Sequence, residues 1–160
     1  RGMVYMLSKF LSLKRILIDA KANSLEDAIL LCGNLLVGDG CATCEYPAAM
    51  VKTARQLGDA IVMAPQTALP HASFSEGGLR PAVSVVRLAQ PLDFGKASRP
   101  VRLLLGFCGS DAGSHMEVLS ALAQFLSIPC AISSLLCAPT AEDLYRTLSN
   151  QTTAKQLPFS

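Results

Sequence analysis

Apolar positions alternate, cluster and recur along this chain in ways that predict nine elements. Residues 15–19 (RILID) read as a short strand. Residues 24–40 (SLEDAILLCGNLLVGDG) carry a helical period: Leu25, Ala28, Ile29, Cys32, Leu35 and Leu36 share one face. Ser24 and Asp27 stand at capping-box spacing before it, and Gly38 and Gly40 supply the stop. A second helix is predicted over 46–58, with Pro47 in its first turn, Tyr46, Ala49, Met50, Ala54 and Leu57 on one face, and Gly58 at its end. Residues 60–65 (AIVMAP) read as a strand closed by Pro65, and 67–72 (TALPHA) as a short extended piece. Residues 82–89 (AVSVVRLA) are a β-branched strand, and 101–109 (VRLLLGFCG) a nearly continuous apolar run that suits a central strand covered on both faces. A helix follows over 113–127, with a capping box between Ser114 and Glu117 and a stripe of Val118, Leu119, Leu122, Phe125 and Leu126. The last helix spans 140–149, opened by Thr140 and Asp143, before a polar tail that frays at least in part. Interleaved helices and strands with no repeat or linker predict one α/β domain. Its architecture is a three-layer α/β/α sandwich around a mixed sheet of about five strands.

Composition narrows the function. The chain has 160 residues, about half of them apolar and 16% charged, with a net charge of +2. That is a globular balance with a core large enough to need no disulfide staples. No stripe of Lys and Arg marks a nucleic-acid face. The apolar N-terminal stretch is broken by Lys9, Lys14 and Arg15, is too short to span a membrane, and lacks a small-residue cleavage pattern. Six cysteines lie at 32, 41, 44, 108, 130 and 137, mostly inside apolar segments where a thiol is a small core residue. Cys41 and Cys44 form a lone CxxC; without a second pair it favours a reduced protein over a metal or redox site.

Candidate chemistry rests on two histidines, the only ones present. His71 follows an extended piece, and His115 opens a helix that follows a strand. Free N–H groups at a helix start suit an anion, phosphate above all. Ligands of α/β sheets gather beyond the carboxyl ends of strands, so the two rings are placed to face one another across a small site. Taken singly, each histidine also fits an ordinary turn or helix-start residue.

The pattern extends further. Residues 27–50 (DAILLCGNLLVGDGCATCEYPAAM), 60–73 (AIVMAPQTALPHAS), 91–95 (PLDFG) and 101–126 (VRLLLGFCGSDAGSHMEVLSALAQFL) together resemble one family. It is the mannitol/fructose-type enzyme IIA domain of the bacterial phosphoenolpyruvate-dependent sugar phosphotransferase system. The likeness covers about residues 20–150, and the spacing from Met50 to His71 is closest to the ascorbate-type branch. The resemblance implies a cytoplasmic phosphocarrier that needs no cofactor or metal. His71 would accept a phosphoryl group from the histidine phosphocarrier protein and pass it to an enzyme IIB, and through it to the membrane enzyme IIC. His115 would hydrogen-bond the phosphoryl oxygens, and Asp111 would orient a ring or close the helix start. Ser73, Ser114, Asp111 and Arg55 are candidates to hold the phosphate, beside Arg80 and Ser75. Met63, Phe74 and Leu79 are candidates for the docking surface. Two departures stand out: Gln66 and Thr67 replace a stretch where the family commonly has Gly, and Ser73 and Phe74 follow Ala72 where the ascorbate branch often has Arg. A regulatory paralogue that binds proteins according to its phosphorylation state is the alternative. A hydrolase is disfavoured, because no Gly-x-Ser-x-Gly elbow is present.

Overall fold

Side chains of β4 (Ala82–Phe94) and β5 (Arg99–Cys108) alternate between two cores. Ala82, Val86, Leu88, Leu104 and Cys108 join one, while Val83, Val85, Leu103, Leu105 and Phe107 join the other. Two buried faces require two covering layers, and that is the architecture of the computed structural model. It describes residues 6–94 and 99–155, the last five by backbone alone. Helices α1 (Leu25–Gly38) and α2 (Tyr46–Leu57) cover one face of the sheet. Helices α3 (Ala112–Leu126), α4 (Ala131–Cys137) and α5 (Ala141–Lys155) cover the other, joined by a 3-10 turn at Leu7–Phe10. No single helix among the described residues is long and apolar enough to cross a membrane.

The sheet is mixed, in the order β1-β4-β5-β3-β2, where β1 is Ile16–Ala20, β2 Val62–Ala64 and β3 Thr67–Ala68. Strand β4 pairs antiparallel with β5, and β1 runs parallel to β4. Strand β3 runs parallel to β5, with Thr67 opposite Leu103 and Ala68 opposite Leu104. The expected α/β/α sandwich around five strands is what forms.

Several boundaries differ, each for a local reason. Helix α3 begins one turn earlier than expected: Asp111, not Ser114, is the N-cap. Its carboxylate accepts the Ser114 N–H at 2.7 Å, and Ser114 Oγ accepts the Asp111 N–H at 3.1 Å. The stretch 60–65 opens in a 3-10 turn, leaving only three strand residues. Helix α4 was not anticipated; it is held by Arg87, a buried residue of β4 whose guanidinium donates to the carbonyls of Leu135 and Ala138 at 3.0 and 2.6 Å. Leu57, expected on the buried face of α2, is exposed at its end.

Helices α1 and α2 cross where Gly33 meets Pro47. A methyl group built on Gly33 would stand 2.7 Å from Pro47 Cβ and 2.8 Å from its Cα. Gly38 at the end of α1 has open space instead. Gly33→Val is therefore expected to lower unfolding free energy by about 1–3 kcal/mol through overpacking. Gly38→Ala should be neutral or raise it by up to about 1 kcal/mol. Urea unfolding of both variants checks the pair.

Candidate functional site: a histidine pair at one sheet edge

Parallel pairing of β3 with β5 sets the site. Both strands end at the same edge, so the residues that follow them emerge side by side. Extending the register from Ala68 and Leu104 by three residues puts His71 opposite Phe107. The ladder continues this far: the Phe107 N–H donates to the Pro70 carbonyl at 3.2 Å. The two rings stack, with centroids 4.8 Å apart and planes 22° from parallel. His115, on the first turn of the helix after β5, closes the group: its ring lies edge-on to His71 at 5.8 Å and tilted against Phe107 at 5.2 Å.

The loop after His71 reaches this cluster because two glycines let it. A Cβ on Gly78 would lie 1.8 Å from the Gly109 carbonyl oxygen, and one on Gly109 would lie 2.6 Å from the backbone of His115. These contacts stack the 77–78 loop, the end of β5 and the start of α3 without room for a methyl group. Pairing of the same loop with residues 41–43 holds it from the other side, through Thr43 N–H to Gly77 O at 2.8 Å and Leu79 N–H to Cys41 O at 2.9 Å.

Hydrogen bonds assign the protons. His71 Nδ1 lies 2.7 Å from the Leu69 carbonyl oxygen. A carbonyl only accepts, so Nδ1 carries the hydrogen, and a neutral ring keeps its lone pair on Nε2. The Nδ1 of His115 is buried and has no hydrogen-bond partner among the described residues. Burial, with a smaller effect from the charge of a protonated His71, holds the His115 pKa below its ordinary 6.5. Its neutral form therefore prevails at neutral pH. An unpartnered buried N–H costs more than an unpartnered lone pair, so the hydrogen belongs on Nε2.

The phosphate candidates fall into different places. Ser73 is exposed two residues from His71; its hydroxyl caps a 3-10 turn by accepting the Ser75 N–H at 3.3 Å and lies 2.9 Å from Ser75 Oγ. Ser114 directly precedes His115, but its hydroxyl accepts the Ser110 and Asp111 N–H groups at 2.9 and 3.1 Å. Asp111 closes the helix start, and the Ser114 N–H holds its carboxyl below the usual carboxylate range. Arg55 is not brought to the cluster. It sits in the last turn of α2, about 13 Å along the axis from Tyr46 at the other end, and pairs with Glu26 at 2.6 and 2.8 Å. Arg80 donates to the Asp39 carbonyl at 2.8 Å, and Asp39 also pairs with the buried Arg15.

The cysteines split as well. Cys41 is buried while Cys44 is exposed beside Glu45, and its hydrogen bond to that carboxylate raises its pKa. Among the described residues no group of three His, Cys, Asp or Glu side chains is placed to hold a metal ion. Burial pushes the Cys108 thiol up to about 12, so it is no thiolate nucleophile. Phe74, three residues after His71, Met116, directly after His115, and Leu79, directly after the 77–78 loop, are exposed apolar side chains, and Met63 is half-exposed on the edge strand β2. Sequence reasoning missed Phe107, because an aromatic in the apolar run 101–109 reads as plain core; only the parallel register of β3 and β5 reveals it.

Fold and site thus define an α/β domain that presents two edge-to-face imidazoles, each half-buried, where β3 and β5 end. The family model described as "Phosphoenolpyruvate-dependent sugar phosphotransferase system, EIIA 2" matches residues 9–151, and the chain belongs to that family. It is 33% identical to the ascorbate-specific EIIA component of Salmonella choleraesuis over 104 residues, 64% of this chain and 68% of that protein. Its fold matches the solution structure of the mannitol-specific cryptic enzyme IIA CmtB from Escherichia coli. The TM-score there is 0.81 at 26% identity, over 91% of this chain and 99% of that one. The enzyme IIA of mannitol from Escherichia coli, solved in complex with phosphorylated enzyme IIB, shares the fold at TM-score 0.76 and 22% identity, over 88% of this chain and 97% of that one.

The lowered His115 pKa has a checkable sign. A histidine harder to protonate folded than unfolded favours folding above the unfolded value near 6.5, and that contribution is lost as pH falls from 6.5 through the lower folded value. NMR titration should place the His115 midpoint below 6.5, and His71→Gln should raise it only partly, because burial is the larger cause.

Proposed function

We propose that this chain is a phosphocarrier with His71 as the phosphoryl acceptor. The observation that carries this reading is the 2.7 Å hydrogen bond from His71 Nδ1 to the Leu69 carbonyl, which leaves the Nε2 lone pair free. Nε2 attacks the phosphorus of a phosphohistidine on the histidine phosphocarrier protein. A new N–P bond forms as the old one breaks, and its electron pair returns to the donor imidazole. The His71 ring becomes a phosphorylated imidazolium, still bonded through Nδ1–H to Leu69, whose carbonyl dipole stabilises the positive charge. His115 offers its Nε2–H to the phosphoryl oxygens. A thiolate of enzyme IIB then takes the group, breaking the N–P bond and restoring neutral His71.

Exposure suits two macromolecular partners in turn. Phe74, Leu79 and Met116 form an apolar rim on which both dock. Clefts of about 650 and 430 Å³ lie among other residues and include neither histidine. The family and the complex of the mannitol enzyme IIA with enzyme IIB support the choice of partners. The relative at 33% identity supports ascorbate or a related sugar, with the phosphoryl group passing onward to the membrane enzyme IIC. In this role residues of about 20–150 act as one cytoplasmic domain. In this reading Arg55 stays paired with Glu26 and takes no part in the phosphate shell, while Ser73 and Ser114 accept backbone N–H groups and keep an O–H to turn toward phosphate.

Incubation with phosphoenolpyruvate, enzyme I and the histidine phosphocarrier protein should add one acid-labile phosphoryl group, seen by intact mass. His71→Ala should abolish it. His115→Ala should slow it by about 10²-fold, as for removal of one preorganised donor. An unlabelled wild type, folded and with matched partners, overturns the reading.

A further inference from the structure

The side chain that braces His71 from behind is Tyr46. It is fully buried at the start of α2, and its hydroxyl stands between two backbone groups. It accepts the N–H of Ala72 at 3.0 Å and donates to the carbonyl of Phe107 at 2.9 Å. The Ala72 carbonyl lies slightly further, at 3.2 Å. Burial pushes the phenol well above its ordinary pKa, so the donor proton stays in place.

These two contacts are not arbitrary. Ala72 is the residue after His71, and Phe107 is the residue whose ring stacks on His71. The segment 69–72 leaves the sheet after β3, and its backbone is tied at three points. Leu69 N–H donates to Ile61 O at 3.1 Å, Pro70 O accepts from Phe107 N–H at 3.2 Å, and Ala72 N–H reaches Tyr46. Only the last tie lies beyond His71. Without it no tie to β5 or α2 remains between His71 and the loop pinned at Gly77, so the backbone at residues 72–76 is loosened and the ring can leave both the Leu69 carbonyl and the Phe107 face. A phenylalanine at 46 would also leave a buried N–H and a buried carbonyl without a partner.

We infer that Tyr46 is a positioning residue for phosphoryl transfer: its hydroxyl clips the backbone after His71 to the strand beneath the ring, and so holds His71 in the Nδ1–H form with Nε2 outward. This rests on the phosphocarrier reading for its kinetic consequence, but not for its structural one. The test is long-range proton–nitrogen NMR on His71 in the wild type, in Tyr46→Phe and in Met50→Ala. Met50 shares the buried face of α2 and has no hydroxyl, so it reports packing loss alone.

Wild type and Met50→Ala should show His71 with its hydrogen on Nδ1, and Tyr46→Phe should show a mixture of both neutral forms. In the phosphoryl-transfer assay Tyr46→Phe should lose roughly 10- to 100-fold in kcat with KM for the phosphocarrier unchanged. A Tyr46→Phe protein that keeps the Nδ1–H form and the wild-type rate overturns the inference, as does Met50→Ala losing the form equally. If Tyr46→Phe does not fold, hydrogen exchange on the wild type decides: Ala72 N–H should be protected well beyond the exposed Ser73 N–H, and equal exchange overturns the clip. Because the NMR needs no phosphoryl donor, a wild type that accepts no phosphate sinks the functional reading and leaves this one to be judged separately.

Discussion

The hydrogen bond from His71 Nδ1 to the carbonyl of Leu69 is a contact across two residues of one chain, and most of the site depends on it. An imidazole free to flip offers either nitrogen to a partner. One whose Nδ1–H is held by a carbonyl offers only Nε2. In the proposed transfer the same carbonyl would face the positive ring created by a phosphoryl group on Nε2. The carbonyl itself is placed by the Leu69 N–H, which reaches across to Ile61 at the turn before β2. A two-residue strand is therefore enough to aim the ring, because its neighbours on both sides are fixed.

Sheet topology supplies the rest. Parallel strands deliver their following residues to one edge, so β3 and β5 bring His71, Phe107 and His115 together although 44 positions separate the two histidines. Antiparallel pairing of β3 would have sent His71 to the opposite edge. The close approach of Gly78, Gly109 and His115 turns that proximity into contact, and the buried faces of α1 and α2 press the support from below. The two cores lie on opposite sides of one sheet, so the strands are clamped on both faces while the loops at their ends stay exposed.

Much of this was legible in the residue pattern. Apolar spacing and caps marked α1, α2 and α5, because Ser24, Pro47 and Thr140 use side chains and ring geometry in local, recognisable ways. The start of α3 was displaced by one turn because Ser114 and Glu117 mimic the capping box that Asp111 and Ser114 form. Helix α4 is seven residues long and depends on the buried guanidinium of Arg87 in β4, 48 positions before Leu135 and 51 before Ala138, which no local window contains. The two histidines were legible by their rarity and by the family pattern. Phe107 and the Tyr46 hydroxyl were not, since both lie in segments that read as core and gain meaning only from strand register. The serines and Arg55 looked available in sequence; in the fold their polar groups already have partners.

The most direct test of the central claim is the nitrogen that carries the phosphoryl group. Phosphorylated protein labelled with nitrogen-15 at histidine would show phosphorus–nitrogen coupling in its NMR spectrum. The Leu69 contact predicts that coupling at Nε2 of His71, with Nδ1 still protonated. Coupling at Nδ1, or on His115, would contradict the account.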